Sequence, residues 1–216
     1  MILSDRDLEK LINKKELIID PFFKKFLGPN CYYCHLGYKF LRLSSKKKII
    51  SPSDKNTLKN FYKKYSPEKE IIIEPKEFLL AETFEYIGIS DKYTIQLLNS
   101  SSLARIGISQ AALGFINAGC GSINPIKITL ELINNTNNYI KLRPTIIKKG
   151  FVYWGTEILK IVVVPLSSKP KKPYNEWKFK LYENTEVMGC LMYNREKINN
   201  KDVLPKESRY YYEQRN

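Results

Sequence analysis

A series of short segments rich in β-branched and aromatic residues is the feature that most constrains how this chain can fold. The segments are EIIIEP (70–75), EFLLAETFEYIGI (77–89), YTIQLL (93–98), PIKITLELIN (125–134), YIKLRP (139–144) and FVYWGTEILKIVVVPL (151–166). Turn-forming clusters such as SDK, NSSS, NNTNN and KKG separate them. Ile, Val, Tyr and Phe favour strands, and many short strands at fairly regular spacing are typical of sandwiches and barrels. The sequence therefore predicts a mainly β fold.

The start of the chain departs from this pattern and predicts a short helix over residues 4–15. Ser4 followed by Asp7 three positions later has the pattern of a capping box. Apolar residues then recur at helical spacing from Leu8 to Leu11.

The length of 216 residues predicts a single domain, 1–216. Hydrophobic residues make up 43% of the chain, which is enough for a core. We expect a β core over 17–168, in which the polar, lysine-rich stretch 44–69 is an insertion. Residues 169–216 are Pro- and Lys-rich and then aromatic and charged, which indicates a C-terminal arm. The sequence leaves open whether this arm closes over a site or orders on a neighbouring subunit.

No apolar run approaches the roughly 20 residues that span a bilayer, and the first residues carry charges where a signal peptide would be apolar. These features predict a soluble, cytoplasmic protein with no membrane partner. The formal charge of +14 is compatible with a nucleic-acid partner, but also with exposed lysines that have no partner, because the lysines are scattered in twos and threes.

The most conspicuous short motif is CYYCH (31–35), which has the spacing of a covalent haem-attachment motif and could supply three metal ligands. Haem attachment of this kind belongs to exported proteins, and a zinc site would need a further ligand, whereas Cys120 and Cys190 are isolated. We expect neither haem nor zinc, and interpret the motif as reduced, partly buried cysteines in a strand. His35 is the single histidine, and nothing near it in the sequence supports a hydrolase triad.

Several further motifs occur in one characteristic order. They are NSSSLARIGI (99–108), GFINAG (114–119) and ITLELIN (128–134), preceded by MILSDRDLEKLI (1–12), IIDPFFKKFLGPNCYYCHLGYKF (18–40) and EPKEFLLAETFEYIGI (74–89). In this order the chain resembles the dCTP deaminase branch of the trimeric dUTPase-like superfamily, over roughly residues 1–182. The resemblance implies a distorted β-barrel or jelly roll that forms homotrimers, with active sites between subunits.

The resemblance also implies the chemistry. Deaminases of this kind work without zinc: water attacks a ring carbon of cytosine while a glutamate shuttles protons. Ser101 would contact the water, Arg105 would stabilise developing charge, and Glu131 would be the proton shuttle. Mg²⁺ would enter with the deoxynucleotide triphosphate, and the protein itself would supply no metal site.

The positions that match the family's substrate contacts are Ser102, Phe115, Asn117 and Tyr182. For Glu131 the residues themselves leave two interpretations. Between Leu130 and Leu132 its pKa could be raised by desolvation, which suits acid–base work, or it could face solvent on an alternating strand.

Four positions differ from the family pattern: Tyr33 and Asn117 replace aspartates, Asn99 replaces a glycine, and Ser100 replaces a phosphate-binding arginine. Two function classes therefore remain open at this stage. One is an enzyme that converts dCTP to dUTP, with or without further hydrolysis to dUMP. The other is a catalytically lapsed trimer with a structural or regulatory role, which binds nucleotide, nucleic acid or protein.

Overall fold

A computed structural model of the chain describes residues 1–44, 49–67, 69–183 and 185–196. Its strands are β1 (Leu17–Asp20), β2 (Leu27–Gly28), β3 (Cys31–His35), β4 (Phe40–Leu43), β5 (Tyr62–Tyr65), β6 (Ile71–Ile73), β7 (Phe78–Ile89), β8 (Tyr93–Asn99), β9 (Ile108–Gln110), β10 (Phe115–Ile116), β11 (Ile126–Asn134), β12 (Ile140–Leu142), β13 (Ile146–Lys148), β14 (Phe151–Tyr153) and β15 (Glu157–Pro165). Its helices are α1 (Asp5–Asn13), α2 (Lys55–Lys59), α3 (Ser101–Arg105) and α4 (Tyr193–Glu196), with 3₁₀ turns at Lys24–Phe26 and Tyr174–Glu176.

Two antiparallel sheets form the body of the fold. The six-stranded sheet has the order β5-β4-β7-β11-β9, with β1 also paired to β7, and the five-stranded sheet has the order β10-β8-β15-β3-β2. Two small ribbons, β12 with β6 and β13 with β14, complete the strand pairing. The mainly β prediction is therefore confirmed, and the two central strands β7 and β11 position the site described below.

The core lies between the two sheets, where each sheet presents one row of alternating apolar side chains. β11 contributes Ile128, Leu130 and Leu132, and β15 contributes Ile161 and Val163, all of them nearly inaccessible to solvent. Because side chains alternate along a strand, the intervening residues of β11 project away from this core.

The N-terminal helix is shorter than expected, and its cap differs. Ser4 occupies the N-cap position but makes no side-chain bond to a backbone amide. Instead its hydroxyl donates to Asp7 Oδ2 (3.1 Å). One half of the predicted capping box is therefore absent, because the Ser4 side chain caps no backbone amide, whereas the Asp7 carboxylate does interact with the Ser4 backbone N–H.

Two stretches differ from the segmentation expected from the sequence. The polar region 44–69 is more than a surface insertion, because β5 pairs with β4 at the edge of the six-stranded sheet. The predicted continuous strand 151–166 is two strands, β14 and β15. Between them Gly155 passes so close to the Arg143 carbonyl oxygen that a Cβ would lie 2.2 Å from it.

No helix within the described parts of the chain is long and apolar enough to cross a membrane.

Candidate active site

A cavity of about 450 Å³ opens on the face of β11 that points away from the core. Lys127, Thr129 and Glu131 of β11 line its floor, Phe115 and Asn117 line one wall, and residues of the C-terminal arm cover it. Apolar side chains make up most of the remaining lining. A few polar groups converging in an apolar cavity are characteristic of a small-molecule site.

Glu131 is the carboxyl group on the floor of the cavity. It lies opposite Leu80 of β7, is partly buried, and has no ion-pair partner among the described residues. Burial raises the pKa of its carboxyl above the ordinary value, because desolvation disfavours the charged form. A carboxyl group with a raised pKa beside a cavity is suited to take up and release protons. Of the two sequence interpretations, the structure supports the desolvated one.

A buried ion pair lies beside it. Lys127 Nζ is 3.1 Å from Glu82 Oε1, and both side chains are almost inaccessible. Burial raises the pKa of Glu82 despite the opposing effect of Lys127. The other oxygen, Glu82 Oε2, accepts a hydrogen bond from the Val187 backbone N–H (2.9 Å). Glu82 therefore joins the sheet to the C-terminal arm.

The arm is held by two further bonds of the same kind. The Met188 backbone N–H donates to Thr129 Oγ1 (3.2 Å), and the Cys190 backbone N–H donates to the Tyr62 hydroxyl (3.2 Å). An ion pair between Lys39 and Glu186 adds to them. The described part of the arm thus closes over the cavity of its own chain.

The structure brings together only some of the predicted site residues. Glu131, Phe115, Asn117 and Tyr182 all line the cavity. The residues predicted from the serine-rich motif lie elsewhere: Ser101, Ser102 and Arg105 are exposed on α3 and line none of the cavities described here.

Ser100, which stands where the family has an arginine, is buried at the N-cap of α3. Its backbone carbonyl accepts a hydrogen bond from the Ala104 N–H (3.0 Å). This position therefore begins a helix and presents no charge to a ligand.

Sequence reasoning missed Glu82, Lys127 and Tyr62. The signal for the first two was visible in part, since an acidic and a basic residue interrupt otherwise apolar strands. Their pairing depends on the antiparallel register of β7 and β11, in which Thr129 is opposite Glu82. Tyr62 lies in the region treated as an insertion.

The CYYCH motif lies apart from the cavity, in β3. Cys31 and Cys34 are free thiols and lie on opposite faces of the strand, because residues three apart in a strand point in opposite directions. His35 Nδ1 instead bonds Glu85 Oε1 (2.8 Å) inside the fold. Among the described residues, no three His, Cys, Asp or Glu side chains are grouped as a metal site.

The two antiparallel sheets place the protein in the mainly β class, with a candidate small-molecule cavity on a central strand. The structure superposes on the 2'-deoxycytidine 5'-triphosphate deaminase from Agrobacterium tumefaciens with a TM-score of 0.54 and 17% sequence identity. The superposition covers 75% of this chain and 46% of that chain, which establishes the likeness of fold.

The sequence is more specific. The profile of the dCTP deaminase-like family matches residues 2–154, and the chain belongs to this family. It is 30% identical over 174 residues to the "dCTP deaminase, dUMP-forming" of Persephonella marina, covering 81% of this chain and 89% of the relative. It is 35% identical over 162 residues to the protein of the same name from Nanoarchaeum equitans, covering 67% and 79%.

Proposed function

We propose that this protein hydrolytically deaminates dCTP to dUTP and hydrolyses the product further to dUMP. The observation that carries the proposal is the Glu131 carboxyl, which is desolvated in a cavity of about 450 Å³ and has no ion-pair partner in the described parts of the chain. The similarity to relatives named dCTP deaminase, dUMP-forming supports the substrate and the final product.

Glu131 acts as the proton carrier in the deamination. It accepts a proton from water as the water oxygen forms a bond to the ring carbon that carries the amino group. It then returns the proton to the amino nitrogen, the carbon–nitrogen bond breaks, and ammonia leaves. The remaining hydroxyl proton moves to the neighbouring ring nitrogen, which gives the carbonyl group of the product. A carboxyl group with a raised pKa serves both steps, because it can accept a proton and then release it.

The complete site forms between copies in a homotrimer. Ser101 and Arg105 are exposed on α3 and do not reach the cavity of their own chain, so a neighbouring copy supplies them. Exposed apolar residues near α3, such as Ile106 and Leu98, fit a surface that is covered by another copy. In this arrangement Ser101 holds the attacking water and Arg105 stabilises the charge that develops on the ring.

The remaining residues bind the substrate. Phe115 and Asn117 contact the base and sugar from the wall of the cavity, Tyr182 covers them from the arm, and Ser102 of the neighbouring copy contacts phosphate. Mg²⁺ neutralises phosphate charge when bound, and the triphosphate provides most of its ligands. The deamination itself proceeds without zinc. The four free cysteines fit a reducing, cytoplasmic location.

The test is to incubate the purified protein with dCTP, and separately with dUTP, in the presence of Mg²⁺, and to separate the products by chromatography. We expect dUMP from both substrates. Glu131→Gln should abolish turnover of dCTP, whereas the exposed Glu157→Gln, a matched change on β15, should leave it unchanged. Absence of dUTP and dUMP at high protein concentration refutes the enzymatic proposal.

One observation favours the second candidate function, a trimer that binds nucleotide without turning it over. Ser100 is buried at a helix N-cap, so the charge-assisted phosphate contact of the family arginine is missing. Such contacts are worth about 1.5–3 kcal/mol. A rise in melting temperature with dCTP, without product formation, is the result that this alternative predicts.

A further inference from the structure

The ribbon of β13 and β14 pairs only with itself among the described strands. Ile146 is opposite Tyr153, and Lys148 is opposite Phe151. At its tip, Lys149 and Gly150 both have positive φ, 49° and 79°, which forms the tight connection between the two strands. The ribbon is therefore a projecting hairpin.

One face of this hairpin carries two exposed aromatic rings next to a lysine. Phe151 and Tyr153 are two residues apart on one strand and so lie on the same face, about 7 Å apart along it. Their exposed fractions are 70% and 56%. Lys148, which is directly opposite Phe151, shares this face.

The base of the hairpin is anchored in the fold. The ring of Trp154 packs against Phe26 at 4.5 Å, His35 at 4.7 Å and Phe23 at 4.9 Å between centroids. His35 is in turn held by Glu85 at 2.8 Å. The residue that follows Tyr153 is thus fixed, so the exposed rings are presented from a packed base.

The surroundings of the hairpin are basic. Residues 139–156 contain four cationic side chains, Lys141, Arg143, Lys148 and Lys149, and no Asp or Glu. Lys141 is paired with Glu70 at 3.4 Å. Lys148 and Lys149 have no carboxylate partner among the described residues.

We propose that this hairpin binds a single-stranded polynucleotide. Adjacent bases stack on Phe151 and Tyr153, and Lys148 and Lys149 contact the phosphates that connect them. Exposed aromatic rings with flanking cations are the combination by which proteins bind single strands without reading their sequence. The net charge of +14 favours the approach of a polyanion.

A second copy bound through the same hairpin is a less suitable occupant of this face. In a two-fold symmetric pairing, the same patch faces itself, so the unpaired Lys148 and Lys149 of both copies would be brought together. Like charges that face each other across paired strands are destabilising. The charge pattern thus favours an anionic partner.

The test is a fluorescence anisotropy titration of the full-length protein with labelled oligo(dT) and oligo(U), each about 20 nucleotides long. Phe151→Ala/Tyr153→Ala should weaken binding at least about tenfold, since each stacked base contributes on that order. Tyr139→Ala removes an equally exposed ring (71%) at the other end of β12 and should bind as the unchanged protein does. Comparison of the two oligomers shows whether DNA or RNA is preferred.

The salt dependence tests the lysines separately. Lys148→Gln/Lys149→Gln should reduce the slope of log affinity against log salt by about 1.4, because each lost phosphate contact removes about 0.7 for single strands. Lys14→Gln/Lys15→Gln removes the same charge from the segment before β1, outside the hairpin, and should leave the slope unchanged.

Three results would overturn the proposal. The first is that the unchanged protein binds neither oligonucleotide at low salt. The second is that Phe151→Ala/Tyr153→Ala and Tyr139→Ala bind the oligonucleotides equally well. The third is that Phe151→Ala/Tyr153→Ala dissociates the protein oligomer. The last result would show that another copy of the chain covers the hairpin.

Discussion

A mixing experiment tests whether the active site is shared between neighbouring copies. Glu131→Gln removes the proposed proton carrier, and Arg105→Ala removes the residue proposed to stabilise charge. Loss of a general acid–base group typically costs about 10²–10⁴-fold in rate, and loss of one electrostatic donor about 10²–10³-fold. Each variant alone should therefore be nearly inactive with dCTP.

The expected recovery follows from where the structure places the two residues. Glu131 lines the cavity of its own chain, whereas Arg105 is exposed on α3 outside it. In a ring of three, each site would take Glu131 from one copy and Arg105 from the next. A ring of three that contains both variants has both residues intact at about one site in three. The mixed oligomers should then regain about a third of the unchanged activity, about 30-fold or more above either parent.

The assay is co-expression of the two variants with different affinity tags, isolation of mixed oligomers through both tags, and measurement of ammonia release from dCTP. Oligomers isolated from each variant alone provide the baseline. Mixed oligomers no more active than the average of the two parents would refute the shared site, because a site built within one chain cannot be complemented.

Three further predictions concern stability and the arm. Folding raises the pKa of Glu131, so the folded protein holds this proton more tightly than the unfolded chain does. The resulting contribution to the free energy of unfolding is present below the ordinary pKa of glutamate and is lost as the pH rises through the raised pKa. Glu131→Gln should therefore melt at the same temperature as the unchanged protein near about pH 4 and at a higher one near about pH 8, and equal melting at both would contradict the desolvation. Gly189→Ala should speed amide hydrogen exchange over residues 185–191, because a Cβ at this position would lie 2.4 Å from the Tyr62 ring. Gly114→Ala is the matched control, since a Cβ there would have nothing within 4 Å. Exchange at the same rate in both variants would contradict the contact between Gly189 and Tyr62. Trp154→Ala should cost about 3–5 kcal/mol of unfolding free energy by emptying the aromatic cluster, a drop of roughly 10 °C in Tm, and a drop of only about 1 °C would mean that the ring is not anchored.

The strands were predictable because their signal is local. Segments such as 77–89 and 125–134 contain β-branched and aromatic residues that favour strands wherever they pack, and β7 and β11 lie within a residue of those bounds. The apolar neighbours of Glu131 left a raised pKa and a solvent-facing carboxylate both open, and the burial of its side chain in the structure supports the raised pKa.

The remaining features depend on contacts between distant parts of the chain. The Glu82–Lys127 pair requires the register of two strands, and the Tyr62 contact joins residues 128 positions apart. Neither can be inferred from spacing along the sequence. The missing half of the Ser4 cap has a local cause, since the Ser4 hydroxyl donates to Asp7 Oδ2 and does not accept from a backbone amide.

The C-terminal arm is bound to the core through its own backbone N–H groups, and this determines which of its residues can be substituted. Glu82, Thr129 and Tyr62 all accept from backbone N–H groups, which every residue except proline possesses. Val187, Met188 and Cys190 can therefore be exchanged for almost any other residue without loss of these bonds. During evolution the sequence of the arm can therefore diverge while the three acceptor residues on the core are retained. Common descent in this segment is better traced by these acceptor residues than by the residues of the arm.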